Sequence, residues 1–113
     1  MKKRILVTDD DPGVQDIFKI IFEKAGYDVV IVSNAREILE NKFEHPNIFL
    51  LDKQLSGVDG LDVCRHLKAQ NETKHIPVIM VSATPGLDTL SKLAGADDFL
   101  EKPFSMRNLL SLV

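Results

Sequence analysis

Short, continuous apolar runs alternate along this chain with longer segments whose apolar residues recur every three or four positions. Ile5-Leu6-Val7, Val29-Val30-Ile31-Val32, Ile48-Phe49-Leu50-Leu51 and Val78-Ile79-Met80-Val81 are the runs, each bounded by polar or turn residues. Such stretches read as strands buried on both faces. Between the first two, Val14, Ile17, Phe18, Ile21 and Phe22 fall at helical spacing and predict a helix with one apolar stripe. Asp11 suits its N-cap, Pro12 its first helical position and Ala25-Gly26 its end. Asn34 is placed to cap a second helix, with Glu37 as the reciprocal partner, Ile38, Leu39 and Phe43 facing inward and Pro46 as the stop. Leu61, Cys64 and Leu67 share one face of a third helix after Gly60. Thr84-Pro85 repeats the cap-then-proline start for a fourth, which carries Leu87, Leu90 and Leu93 and is closed by Gly95. Asp98-Phe99-Leu100 predicts a short fifth strand, and Ser105 caps a last helix with Leu109, Leu110 and Val113.

The alternation is (βα)₅, which calls for a doubly wound parallel five-stranded sheet with helices on both faces and right-handed crossovers. No repeat, linker or low-complexity segment interrupts it, so residues 1–113 are expected to be one domain. The final helix has about two turns before the sequence stops, too short to be stable alone, which suggests a truncated last helix or a longer parent chain.

Composition narrows the function classes. A formal net charge of −3 gives no electrostatic reason to expect nucleic-acid or membrane-surface binding. Cys64 is the only cysteine, which rules out an internal disulfide and suits a reducing compartment. The basic start is followed by an apolar run that Thr8-Asp9-Asp10-Asp11 breaks at once, too short for a signal sequence or membrane span. A cytoplasmic module is expected.

The candidate chemistry lies where strands end. Asp9 and Asp10 follow the first strand, Asp52 ends the third, Ser82 ends the fourth and Lys102 lies just past the fifth. In an open parallel sheet all of these share the carboxyl edge, where such folds bind ligands. Three carboxylates there repel one another unless a cation sits among them. A hard, oxygen-donor site with room for water suits Mg²⁺, which also binds phosphate oxygens. Asp52 as nucleophile, a divalent metal, Lys102 and the Ser82 hydroxyl together make a phosphoryl-transfer site with an aspartyl phosphate as product. Other residues have plainer readings. Asp11 is a helix cap, Asp59 supports the turn into the third helix, and Asp97 and Asp98 belong to a loop and a strand start. His45, His66 and His75 have no metal-ligand spacing, and Cys64 packs inward.

Ile5-Leu6-Val7-Thr8-Asp9-Asp10-Asp11-Pro12, Leu51-Asp52, Asp59-Gly60, Val81-Ser82-Ala83 and the run Gly95 to Phe104 containing Lys102-Pro103 together resemble the receiver domain of two-component response regulators. The resemblance spans essentially the whole chain, with the markers in order. It implies strand order 2-1-3-4-5, the flavodoxin-like order of chemotaxis receivers. It implies that Asp52 accepts a phosphoryl group from the phosphohistidine of a sensor histidine kinase or phosphotransfer protein. It also implies that Asp9, Asp10, Asp52 and the main-chain carbonyl of Gln54 hold Mg²⁺. Ser82 then matches the hydroxyl that turns toward the phosphoryl group, Lys102 the lysine that contacts it, and Phe99 the aromatic switch. The Lys102-Pro103 bond is implied to be cis. The implied output is a downstream effector or a self-dimer formed through the face of helix 4, strand 5 and helix 5, without turnover of a separate substrate.

The chain also departs from the family pattern. Ser56 stands where receivers often have proline, and Phe99 where many have tyrosine. Gln54 and Thr84, at positions that tune hydrolysis of the acyl phosphate, are not acidic, which implies a moderate phosphoryl lifetime. A Mg²⁺-dependent phosphatase would share this chemistry, but there is no Asp-x-Asp at Asp52 and no insertion to cap a substrate. A pseudo-receiver would lack the acceptor, acidic pair or lysine, all of which are present. A flavodoxin-type cofactor domain would need a loop after the first strand that welcomes phosphate, and here that loop is acidic.

Overall fold

The computed structural model describes residues 3–55 and 57–112; Met1, Lys2, Ser56 and Val113 lie outside it. Among the described residues, β1 (Arg4–Thr8), β2 (Asp28–Val32), β3 (Ile48–Asp52), β6 (Val78–Ser82) and β7 (Asp98–Glu101) form one parallel sheet in the order β2-β1-β3-β6-β7. This is the expected order 2-1-3-4-5, because β6 and β7 are the fourth and fifth strands of the sheet. The intervening β4 (Gln54–Leu55) and β5 (Val58–Asp59) form a small antiparallel hairpin of their own.

The apolar runs divide between two cores because successive side chains of a strand point to opposite faces. Leu6, Phe49, Leu51, Val78 and Met80 pack on one face under α2 (Ala35–Leu39), α3 (Gly60–Lys68) and α4 (Leu87–Leu93). Ile5, Val7, Leu50, Ile79, Val81 and Leu100 pack on the other under α1 (Pro12–Lys24) and α5 (Met106–Leu112). Phe18 and Phe22 of α1 and Leu109 of α5 fill that second core, with Phe18 stacked on Phe104 at 5.6 Å between ring centroids. A strand covered on both sides has no polar face to show in its sequence.

Helix starts follow local chemistry. The Asp11 carboxylate accepts the amides of Gly13 and Val14, and Pro12 occupies the first turn of α1. Asn34 accepts the Arg36 amide at α2, Asp59 the Leu61 amide at α3, and the Ser105 hydroxyl the Asn108 amide at α5. Each capping bond satisfies an amide that has no partner inside its own helix.

Four expectations are corrected. The second helix ends at Leu39, and Asn41 takes the left-handed conformation (φ 60°). Phe43 therefore reaches the core from a loop, edge-on to Phe49 at 5.7 Å. Thr84-Pro85 does not start the fourth helix. Left-handed Gly86 (φ 77°) is its N-cap, without a side-chain cap, and Thr84 is engaged by Ser82 instead. The buried positions of α4 include Leu87 and Ser91, while Leu93 is 74 % exposed. Ile17, placed in the stripe of α1, is 54 % exposed at its margin.

Candidate active site at the carboxyl edge

The strand register carries the polar groups to one edge. Thr8 lies opposite Leu51, Asp52 opposite Val81 and Ser82 opposite Glu101, so the residues just beyond these pairs are neighbours. The ladder continues past the strands, with the Lys53 amide on the Val81 carbonyl at 3.0 Å and the Lys102 amide on the Ser82 carbonyl at 2.9 Å. Strand β7 thus delivers Lys102, and its Nζ donates to Asp52 Oδ2 at 2.8 Å and lies 3.6 Å from Asp9 Oδ2. The Lys102–Pro103 peptide is cis, as the resemblance implies.

Both carboxylates are buried, and each accepts a main-chain amide on one oxygen. Asp52 Oδ1 accepts the Gln54 amide at 2.9 Å, and Asp9 Oδ1 accepts the Asp11 amide at 2.9 Å. Gln15, on α1, donates its side-chain amide to the Asp9 main-chain oxygen. Asp9 Oδ2 is the exception. It is buried and receives no hydrogen bond from the described residues. Burial pushes the Asp9 carboxyl up to about 6; the Asp11 amide opposes this, the Asp52 carboxylate beside it adds to it, and Lys102 relieves part of it. For Lys102, burial alone would lower the pKa, but the hydrogen bond and charge of Asp52, with the charge of Asp9, outweigh it and raise it.

A buried carboxylate oxygen without a donor, beside a second carboxylate, is a fitting seat for a hard cation. The donor set is oxygen only, which suits Mg²⁺ better than a softer metal. Asp10 lies exposed at the rim, and no three acidic, histidine or cysteine side chains among the described residues converge into a ready-made cage. Mg²⁺ does not need one, since it keeps several of its own waters.

Ser82 is buried with its hydroxyl turned to Thr84. It donates to Thr84 Oγ1 at 2.8 Å and accepts the Thr84 amide at 3.0 Å. Phe99 is half-buried against the α3–α4 side of the sheet. Between α1 and the segment after Lys102, Val14, Ile17, Ala83 and Pro103 line an open, mainly apolar groove of about 500 Å³. Ser56, the departure noted in the sequence, lies outside the described residues.

Sequence reasoning missed Gln15, the Ser82–Thr84 contact and the β4–β5 hairpin. Only Gln15 left a usable signal, since a polar residue four past Asp11 on a helix faces back toward the preceding loop. The residues given plain readings keep them. Cys64 is fully buried, and burial pushes its thiol up to about 11. His66 contacts Asn41 and Gln70, away from the carboxyl edge.

Comparison with known proteins decides the family. Residues 5–113 match the response regulator receiver domain model. The chain belongs to that family. As a receiver domain it is 36 % identical over 116 aligned positions to the DNA-binding response regulator MtrA of Mycolicibacterium smegmatis, an alignment that covers 100 % of this chain and 50 % of that one. The chain thus spans about half the length of this relative. A putative response regulator from Chloroflexus aurantiacus superposes with a TM-score of 0.90 at 28 % identity, over 99 % of this chain and 94 % of that one. The receiver domain of a Pseudomonas aeruginosa sensor histidine kinase, which has a magnesium ion coordinated in its active-site cleft, superposes at 0.88 with 25 % identity over the same shares. Receiver domains are signalling switches rather than enzymes that turn over a separate substrate. Among the described residues no helix is long and apolar enough to cross a membrane.

Proposed function

We propose that this receiver accepts a phosphoryl group on Asp52 from the phosphohistidine of a sensor histidine kinase or phosphotransfer protein. The 2.8 Å contact between Lys102 and buried Asp52 carries the reading. It sets a cation against the nucleophilic carboxylate, where the incoming phosphoryl oxygens would lie. An oxygen of Asp52 attacks phosphorus, the P–O bond forms as the P–N bond to histidine breaks, and the imidazole leaves with its electron pair. Asp9, Asp10, Asp52 and the Gln54 main-chain carbonyl are the residues proposed to hold Mg²⁺. Bound there, the ion would neutralise charge between carboxylates and phosphoryl oxygens.

The switch is proposed to run through Ser82 and Phe99. Ser82 exchanges Thr84 for a phosphoryl oxygen, Lys102 follows the new charge, and Phe99 moves with the segment after β6. Moving the population from mostly inactive to mostly active requires about 5 kcal/mol of differential stabilisation. Charge-assisted hydrogen bonds at roughly 1.5–3 kcal/mol each are of the right size. The output surface is the face of α4, β7 and α5, binding an effector or a second copy, in the cytoplasm and without direct nucleic-acid or membrane contact by this domain. The longer, DNA-binding relatives support an effector domain in the parent chain. Non-acidic Gln54 and Thr84 favour a moderate phosphoryl lifetime, since neither is a ready general base for water.

Incubation with a kinase domain labelled on its phosphohistidine tests the reading. Label should pass to this chain in the presence of Mg²⁺, resist acid and be released by alkali or hydroxylamine, as an acyl phosphate is. Label that stays on the kinase, or that arrives in an acid-labile form, counts against it.

A further inference from the structure

Gly60 opens α3 with its backbone pressed against the acceptor's own peptide. A Cβ on Gly60 would lie 2.0 Å from the Asp52 carbonyl oxygen, 2.8 Å from its carbon and 2.9 Å from the Lys53 Cα. All three are main-chain atoms, so no rotamer change can make room. The Gly60 amide donates to the Lys53 carbonyl at 2.7 Å, which ties the start of the helix to the residue after the acceptor.

The hairpin between them closes this contact from the other side. Gln54 pairs with Asp59 and Leu55 with Val58, and left-handed Gly57 (φ 73°) lies in the turn. Lys53 Nζ lies 3.2 Å from Asp59 Oδ2, while Asp59 Oδ1 caps α3 through the Leu61 amide at 2.9 Å. Chain leaving Asp52 is therefore folded back so that the first residue of α3 rests on Asp52 itself.

We propose that Gly60 is a positioning residue for phosphoryl transfer, its bare backbone serving as the seat that fixes the Asp52 peptide and thereby aims the carboxylate. The proposal rests on Asp52 being the acceptor. Helix α3 is anchored by Leu61, Val63, Cys64 and Leu67, all buried, whereas Asp52 is the last residue of its strand. A side chain at position 60 pushes directly on the Asp52 end of the contact. That end sets both the Lys102 contact and the Gln54 amide contact of the carboxylate. A glycine at a close backbone approach is needed for space rather than for unusual dihedrals, and misplacing a reacting group by about 1 Å can cost about a hundredfold in rate.

The test compares Gly60→Ala with Leu67→Ala, which loosens the far end of the same helix in the core without touching Asp52. Phosphorylation by acetyl phosphate is measured per folded molecule at saturating Mg²⁺. Gly60→Ala should lose at least about tenfold in rate while Leu67→Ala stays within about twofold. Equal rates for the two variants overturn the proposal, because loss of stability alone would then account for the effect. If Gly60→Ala does not fold, amide exchange in the unaltered chain gives the second reading. The seat predicts that the Gly60 amide exchanges as slowly as the amides of β3, with and without beryllofluoride; exchange at loop rates overturns it. Failure of the unaltered chain to take a phosphoryl group would instead tell against Asp52 as acceptor, and the exchange measurement would still decide whether the seat is rigid.

Discussion

Lys102 and Asp52 are 50 residues apart in the chain, yet they meet at 2.8 Å where β3 and β7 end on either side of β6. The lysine is partly open to solvent and the carboxylate is not, so the pair is stabilised by charge without full desolvation of both partners. Lys102→Met removes the only cation bonded to Asp52 among the described residues and leaves two adjacent buried carboxylates. A stability loss of roughly 1–3 kcal/mol is expected at pH 7, read from urea unfolding. The pKa of Lys102 is raised by folding, so its contribution is complete below the ordinary lysine value and is lost only as pH rises through the higher folded value. Titration of the lysine itself should therefore remove the wild-type advantage only in strongly alkaline solution.

Asp9 behaves in the opposite sense to a carboxylate whose ion pair outweighs its burial. Its pKa is raised by folding from 3.8 to about 6. Between those values the folded state holds the proton more tightly than the unfolded chain, so this group's contribution to stability falls as pH rises through the window. Asp9→Asn, melted in the presence of a chelator, should be more stable than the parent at pH 7. That advantage should shrink toward pH 4. A variant less stable than the parent at pH 7 would contradict the account.

Ser82 is bonded to Thr84 in this structure, so reaching toward Asp52 breaks a hydrogen bond. Thr84→Val keeps the shape and removes the acceptor. The net strength of such a bond is about 1 kcal/mol, so the active population should rise by about fivefold at subsaturating beryllofluoride. Ring resonances of Phe99 would report it. An unchanged population would show that the Thr84 contact does not restrain the switch.

The parallel sheet and the polar edge were legible because each rests on a strong local signal, whereas the strand order followed only from the resemblance to receiver domains. Continuous apolar runs mark doubly covered strands, and Asp52, Ser82 and Lys102 sit at their ends. Helix α4 was less legible because its buried positions include a polar residue. Ser91 is buried at 1 % exposure, whereas Leu93, which the leucine spacing favoured, faces solvent. The second helix was overextended to the stop at Pro46, although Asn41 is of a type that tolerates the left-handed conformation that ends helices. The contact between Thr84 and Ser82 was hidden for another reason. It depends on where a side chain points after folding, and the spacing of residues carries little of that.

Ser91 yields a stability prediction of its own. Its buried hydroxyl finds no hydrogen-bond partner among the described residues. Ser91→Ala removes an uncompensated polar atom and improves helix propensity, and should stabilise the fold by about 1 kcal/mol. Thermal melting reads it directly, and a lower melting temperature would mean that the hydroxyl is satisfied in solution.

The central claim is that Asp52 is the phosphoryl acceptor of this receiver. Intact mass after incubation with Mg²⁺ and acetyl phosphate, run beside Asp52→Asn, tests it most directly. The account predicts a single phosphoryl adduct that requires Mg²⁺ and is absent from the variant. An adduct of the same yield on Asp52→Asn would contradict it, as would a folded parent chain that takes up neither phosphate nor beryllofluoride.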